Sequence, residues 1–183
     1  GTGVGGFIPK MVDHVPHNED GVGGNHVYMP WWGDNKKLGF PRGYHIEVGG
    51  GLYPPDYGFL GGIQEYPSGG GYGKSLKNDY RKYYGASVYF SGRGEMIPND
   101  QSYCELDPTV KDKHGIPVLR FHWQWSDYED NEVRHMQETF RSLIDQMCGK
   151  VSDDMPQRQK GYGIATGGSI IHELGTVRMG ADP

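Results

Sequence analysis

The residues best placed to do chemistry stand near the end of the chain, in the stretch Ser169-Ile170-Ile171-His172-Glu173-Leu174-Gly175-Thr176-Val177-Arg178-Met179-Gly180. A histidine just after an apolar run is held by a partly buried segment. The glycine-bounded loop beyond it can bring bare backbone up to a ligand, because glycine has no side chain. Taken alone, such a histidine reads more simply as a core residue hydrogen-bonded to backbone. Other patterns fall short of a site. Gly1, Gly3 and Gly6 spell G-x-G-x-x-G, but no strand precedes them and Pro9 stands where a helix should begin. "GGGYGKS" at 69–75 approaches a phosphate loop, with Ser68 where its first glycine is required. His14, His17 and His26, near Asp13, Glu19 and Asp20, make an incomplete ligand set, and no metal is expected. No serine stands in a nucleophile-elbow context.

The elements that must position the histidine come from a glycine-rich chain. Glycine makes up 31 of 183 residues, against a usual share of roughly 7%. With 13 Tyr and 12 Pro, this implies many turns and irregular loops, not a helix bundle. The net charge of −5 and the lack of a basic cluster argue against a nucleic-acid surface. Cys104 and Cys148 form no metal-type pair. No apolar run is long enough for a transmembrane helix and no signal peptide opens the chain. Both termini read as cuts, so bacterial periplasm and cytoplasm stay open.

Residues 1–24 read as loop, followed by an extended run over 26–32. "YHIEVGG" at Tyr44–Gly50 alternates as a strand does. Residues 49–75 are glycine-dense, with a short strand expected within 58–66. Further strands are expected at 86–92 and 101–106, joined by the turn chemistry of "PNDQ". Over 117–125, Leu119, Phe121, Trp123 and Trp125 point one way and Arg120, His122 and Gln124 the other. The apolar face is expected on a core, while the polar face lines a wet cavity or meets solvent. One helix follows, capped by Ser126 or Asp127, with Val133, Met136, Phe140, Leu143, Ile144 and Met147 as its core stripe and Gly149 at the C-cap. Residues 150–168 read as loop. The sum is an α+β fold, an antiparallel sheet of about six strands backed by helices.

Three ordered phrases resemble one family. The terminal stretch closely resembles the H-x-x-G-T-x-R-M-G signature of glucose-methanol-choline (GMC) flavin oxidoreductases. "GVGGFIPKMVDH" at 3–14 resembles the phrase where that family's chain leaves the flavin domain. "GEMIPNDQSYCELDPTVKDKHGIPVLRFHW" at 94–123 is similar to the family's P-x-N-x-V-x-L-D…G-x-P stretch, with Gln101 and Tyr103 in place of the usual Asn and Val.

The resemblance implies FAD and an alcohol oxidation in which His172 takes the hydroxyl proton while hydride passes to the flavin. An imidazole with an unperturbed pKa near 6.5 suits that task around neutrality. Gly175 and Thr176 would shape the loop under the isoalloxazine edge, and Arg178 would make a structural ion pair. It also implies the following layout: exit from an absent FAD domain at 1–24, substrate domain at 25–168, and the catalytic-histidine loop at 169–183. The second catalytic His or Asn would lie downstream. The partners implied are the remainder of the FAD domain and an electron-transfer subunit. Many Tyr and Trp residues, with Gln64, Glu65, Arg120, His122 and Gln124 on expected strands, would suit a polyol. Gln64, His122 and Gln124 are the substrate contacts expected, for a sugar or sugar acid. The wording resembles the gluconate/glucoside dehydrogenase and pyranose oxidase branches, with a dehydrogenase favoured over an oxidase. The rival reading is a non-catalytic carbohydrate-binding or structural β-rich domain with His172 packed in its core.

Overall fold

The computed structural model describes residues 1–13, 27–30, 38–50, 73–83 and 85–169, together with Gly175 and Gly180. Its strands are β1 (Thr2–Phe7), β2 (Val27–Met29), β3 (Tyr44–Gly50), β4 (Ser87–Gly94), β5 (Tyr103–Lys111), β6 (Pro117–His122) and β7 (Lys150–Val151). Two α-helices are α1 (Lys74–Tyr83) and α2 (Asp127–Gln146). Five strands form one antiparallel sheet in the order β2-β3-β4-β1-β7, and β5 pairs with β6 in a separate two-stranded sheet. The α+β class is as the sequence implies, with the strands divided five and two.

Helix α2 forms where its pattern demands. Ser126 caps it, accepting from the Tyr128 amide, while Glu129 reaches back to the Ser126 amide in a capping box. Acidic side chains at Asp127, Glu129 and Asp130 face the positive end of the helix dipole. Val133, Met136, Phe140 and Ile144 are buried against Val4, Ile8, Tyr44, Ile46, Val88 and Phe90 of the sheet side. The C-terminus closes differently from expectation. Cys148, not Gly149, takes the left-handed conformation at φ 55°, and the Cys148 and Gly149 amides bond to the Asp145 and Ile144 carbonyls. Gly149 is needed for space: a Cβ there would stand 2.6 Å from Ile8 Cδ1. Met147 lies past the buried stripe and is exposed.

Residues 2–7 are not loop. They form β1, paired with β4 from Thr2↔Gly92 to Phe7↔Ser87 and with β7 on the other edge. Glycines at alternate positions hide the strand in the sequence, since they supply no apolar period. Gly6, and Gly92 on β4, let the helix come close: a Cβ on Gly6 would stand 2.8 Å from Ile144 Cδ1, and one on Gly92 2.6 Å from Met136 Sδ. Residues 150–151, also expected as loop, are β7.

The hairpin corrects a second expectation. Cys104↔Phe121 and Leu106↔Leu119 share one face, but Leu119 is 53% and Phe121 58% exposed, so that face covers no core among the described residues. Alternation fixes which side chains share a face; it does not say what lies against it. Helix α1 has no counterpart in the sequence reading. The short strand expected within 58–66 lies outside the described residues. Among the described residues no helix is long and apolar enough to cross a membrane.

Gly92→Val is expected to destabilise the fold by about 1–3 kcal/mol through overpacking against Met136 and Phe140. Gly39→Val, at a position with nothing within 4 Å, should change stability by less than about 0.5 kcal/mol. Chemical denaturation of both variants checks this; equal losses would contradict the close-approach account.

Candidate functional site

His172, Thr176, Arg178, Gln64 and Glu65 lie outside the described residues, as do His14, His17 and His26. Of the terminal motif's loop, Gly175 is described: it is exposed, holds φ 78° and has nothing within 4 Å of where a Cβ would stand. That conformation favours glycine and leaves bare backbone open to a neighbour. The segment leading to the motif is anchored on the start of β1. Thr2 Oγ1 donates to the Tyr162 carbonyl at 3.1 Å, and the Ala165 amide donates to the Gly1 carbonyl at 3.0 Å. The Trp123 indole then lies 2.7 Å from the place of a Cβ on Gly167.

His122 and Gln124 flank Trp123 at the base of the hairpin. His122 Nε2 is 2.9 Å from Glu105 Oε1, and its ring stacks on Tyr103 at 4.2 Å between centroids. The Gln124 backbone is pinned by Ser102 and Asn99, with its amide donating to Ser102 Oγ at 3.1 Å. Thus His122 bonds to Glu105 within the hairpin, and the Gln124 side chain is exposed.

A second polar group of residues gives no sequence motif. The registers His45↔Arg93, Glu47↔Ser91 and Tyr28↔Glu47 place Tyr28, His45, Glu47, Ser91 and Arg93 on the sheet face turned away from α2. Glu47 is only 6% exposed. It accepts from Tyr28 Oη at 2.9 Å and pairs with Arg93 Nη2 at 3.1 Å, so two neighbouring strands hold its carboxylate. The bond to Glu47 raises the Tyr28 phenol above its ordinary range. His45 stacks on Tyr28 at 5.2 Å and sets its buried Nε2 3.6 Å from Glu47 Oε1, beyond hydrogen-bond length. The available signal was the strand "YHIEV", whose inward alternation leaves a histidine and a glutamate together on the other face.

At the same end of the sheet, on the helix side, Glu132 is 3% exposed and packs where Gly94 leaves no room for a Cβ. Burial pushes its carboxyl up to about 7, opposed by the Tyr128 hydroxyl 3.4 Å away. Tyr44, pushed up to about 12 by burial, lies 2.7 Å from His135 Nδ1 and 3.2 Å from Thr139 Oγ1.

Residues 98–183 match the family model described as GMC oxidoreductase. The matched stretch is somewhat less than half of the chain. Comparison with curated proteins found no match. The matched segment carries the hairpin, α2 and the whole terminal motif. The phrase at 3–14 lies before it, as do β1 to β4, yet those strands build the sheet on which the matched segment's helix packs. The G-x-G-x-x-G of residues 1–6 runs into a strand paired on both edges, so it is no nucleotide loop.

Because native Glu132 holds its proton to about pH 7 and an unfolded glutamate only to about 4.5, stability should fall as pH rises through that window. The loss is at most about 3 kcal/mol. Glu132→Gln should raise the melting temperature at pH 8 relative to the native sequence and do little at pH 4. Parallel thermal melts decide it; an equal shift at both pH values would contradict a buried, protonated carboxyl.

Proposed function

We propose that the chain is the substrate-domain part of an FAD-dependent GMC oxidoreductase that oxidises a hydroxyl group of a sugar or sugar acid. The observation that carries this reading is the family match over 98–183, which contains His172 within the H-x-x-G-T-x-R-M-G motif. FAD would supply the hydride acceptor. The described residues offer no dinucleotide cradle, but Gly175, open and left-handed, fits the close approach of a flat ring to bare backbone. Thr176 follows it in the motif.

In this reading His172 accepts the proton of the substrate hydroxyl, a task suited to imidazole because its ordinary pKa lies near 6.5. The anchors of residues 162–167 on Gly1, Thr2 and Trp123 fix the direction from which the motif leaves the described fold. A glycine loop beside the base keeps side chains out of the space the reacting carbon must enter. We favour a dehydrogenase of the gluconate/glucoside dehydrogenase or pyranose oxidase-like type, passing electrons to a carrier or partner subunit in preference to oxygen.

In intact flavin-containing protein, His172→Ala should retain FAD and slow its bleaching by sugar about 10²–10⁴-fold, the usual contribution of a positioned base. Anaerobic stopped-flow absorbance at the flavin band reads both quantities. Intact protein without flavin, or unchanged bleaching in the variant, would contradict the assignment.

A further inference from the structure

The β5–β6 hairpin is long for a piece of sheet that stands by itself. Its strands of 9 and 6 residues pair with each other, and among the described residues no third strand joins them. A two-stranded hairpin is marginal in water unless something covers its apolar face. That face carries Leu106 opposite Leu119 and Cys104 opposite Phe121, and Trp123 follows at the same spacing. Leu106 is 62%, Leu119 53%, Phe121 58% and Trp123 49% exposed. With roughly 150–250 Å² for each aromatic side chain and somewhat less for leucine, these residues leave roughly 400 Å² of apolar surface bare. Scattered exposed hydrophobics are ordinary, whereas a contiguous patch of this size marks a contact surface.

The two ends of the hairpin differ in charge. Lys111 and Lys113, both exposed, stand at the closed end, and Lys111 pairs with Pro117 in the ladder. Asp112 between them commits its carboxylate to the turn, accepting from the His114 and Ile116 amides at 2.8 and 3.0 Å. At the open end the charges are acidic. Exposed Asp100 precedes β5, and Asp127, whose side chain is 90% exposed and meets Arg158 only at 3.5 Å, follows β6. A surface that is apolar along its middle, basic at one end and acidic at the other is complementary to itself when reversed. Laid parallel, two such surfaces would bring like charges together.

We infer that a second copy of this chain docks on this face, hairpin against hairpin and antiparallel, about a two-fold axis. Each copy then uses the same residues, as a two-fold interface requires. The area fits. A stable interface buries about 800 Å² on each partner, of which about 57% is apolar, so the bare face of one hairpin supplies nearly the whole apolar share. The polar remainder comes from the rim, where Lys111 and Lys113 of one copy meet Asp100 and Asp127 of the other. Leu106 and Leu119 lie between these charged ends, in the part of the interface from which water is most fully excluded.

Sedimentation velocity of the intact protein over a concentration series tests it. The native protein should run as a dimer at micromolar concentration. Leu119→Glu should raise the dimer dissociation constant roughly a hundredfold with the far-UV circular dichroism unchanged, because the residue it replaces lies outside the core. Lys111→Glu combined with Lys113→Glu should raise it about tenfold at low ionic strength and less in high salt. Val27→Glu, at an exposed apolar position on β2, should leave it unchanged. Should Leu119→Glu fail to fold, the lysine pair at the solvent-exposed tip carries the test. A monomeric native protein, as expected if another part of the same chain covers the hairpin, would overturn the inference. So would a dimer indifferent to the hairpin variants, or one broken by Val27→Glu.

Discussion

Everything described here depends on how closely α2 can lie against the sheet. The helix presents Met136, Phe140 and Ile144 to strands β1 and β4, and at the points of contact those strands carry Gly6 and Gly92. Interiors pack at near-crystalline density, so even one added methyl group at these points must push the helix away or distort it. The rest of the core closes around that contact, with Ile46, Phe90 and Tyr44 filling the space on either side. Ser126 and Glu129 start the helix at one end of the sheet, and Cys148 with Gly149 turns the chain into β7 at the other.

Seating the helix on one face leaves a polar cluster on the other. Strand alternation sends every residue not facing α2 to the opposite side, and there β2, β3 and β4 bring Tyr28, His45, Glu47 and Arg93 together. A carboxylate as buried as Glu47 is tolerated because two strands supply its partners. The chain that leads to the His172 motif is tied to the start of β1, next to the Arg93 end of β4, by the Ala165 and Thr2 hydrogen bonds. The segment that matches the GMC oxidoreductases and the strands before it therefore share one packed sheet.

Helix α2 was legible almost residue by residue, because an apolar stripe, a capping serine and acidic first-turn residues all agree. Strands β3, β4 and β5 were legible from alternation and from the turn at Asn99. Strand β1 was not, since glycines chosen for close approach carry no hydrophobic period. The hairpin's alternation holds, but its apolar face, expected on a core, covers none among the described residues. The chemistry shows the same split. The terminal motif stands out as a phrase, whereas Glu47 and Arg93 are 46 residues apart and meet only through strand register. His122, attractive as an isolated polar residue, turns out to be engaged with Glu105 and Tyr103.

The central claim is that α2 lies on the sheet only as closely as Gly6 and Gly92 allow. Native-state hydrogen exchange of Gly6→Ala in the intact protein tests it most directly, because a Cβ there meets Ile144. The account predicts faster exchange of the α2 amides around Ile144, while the β5–β6 hairpin exchanges as before. Unchanged protection of α2 would contradict it.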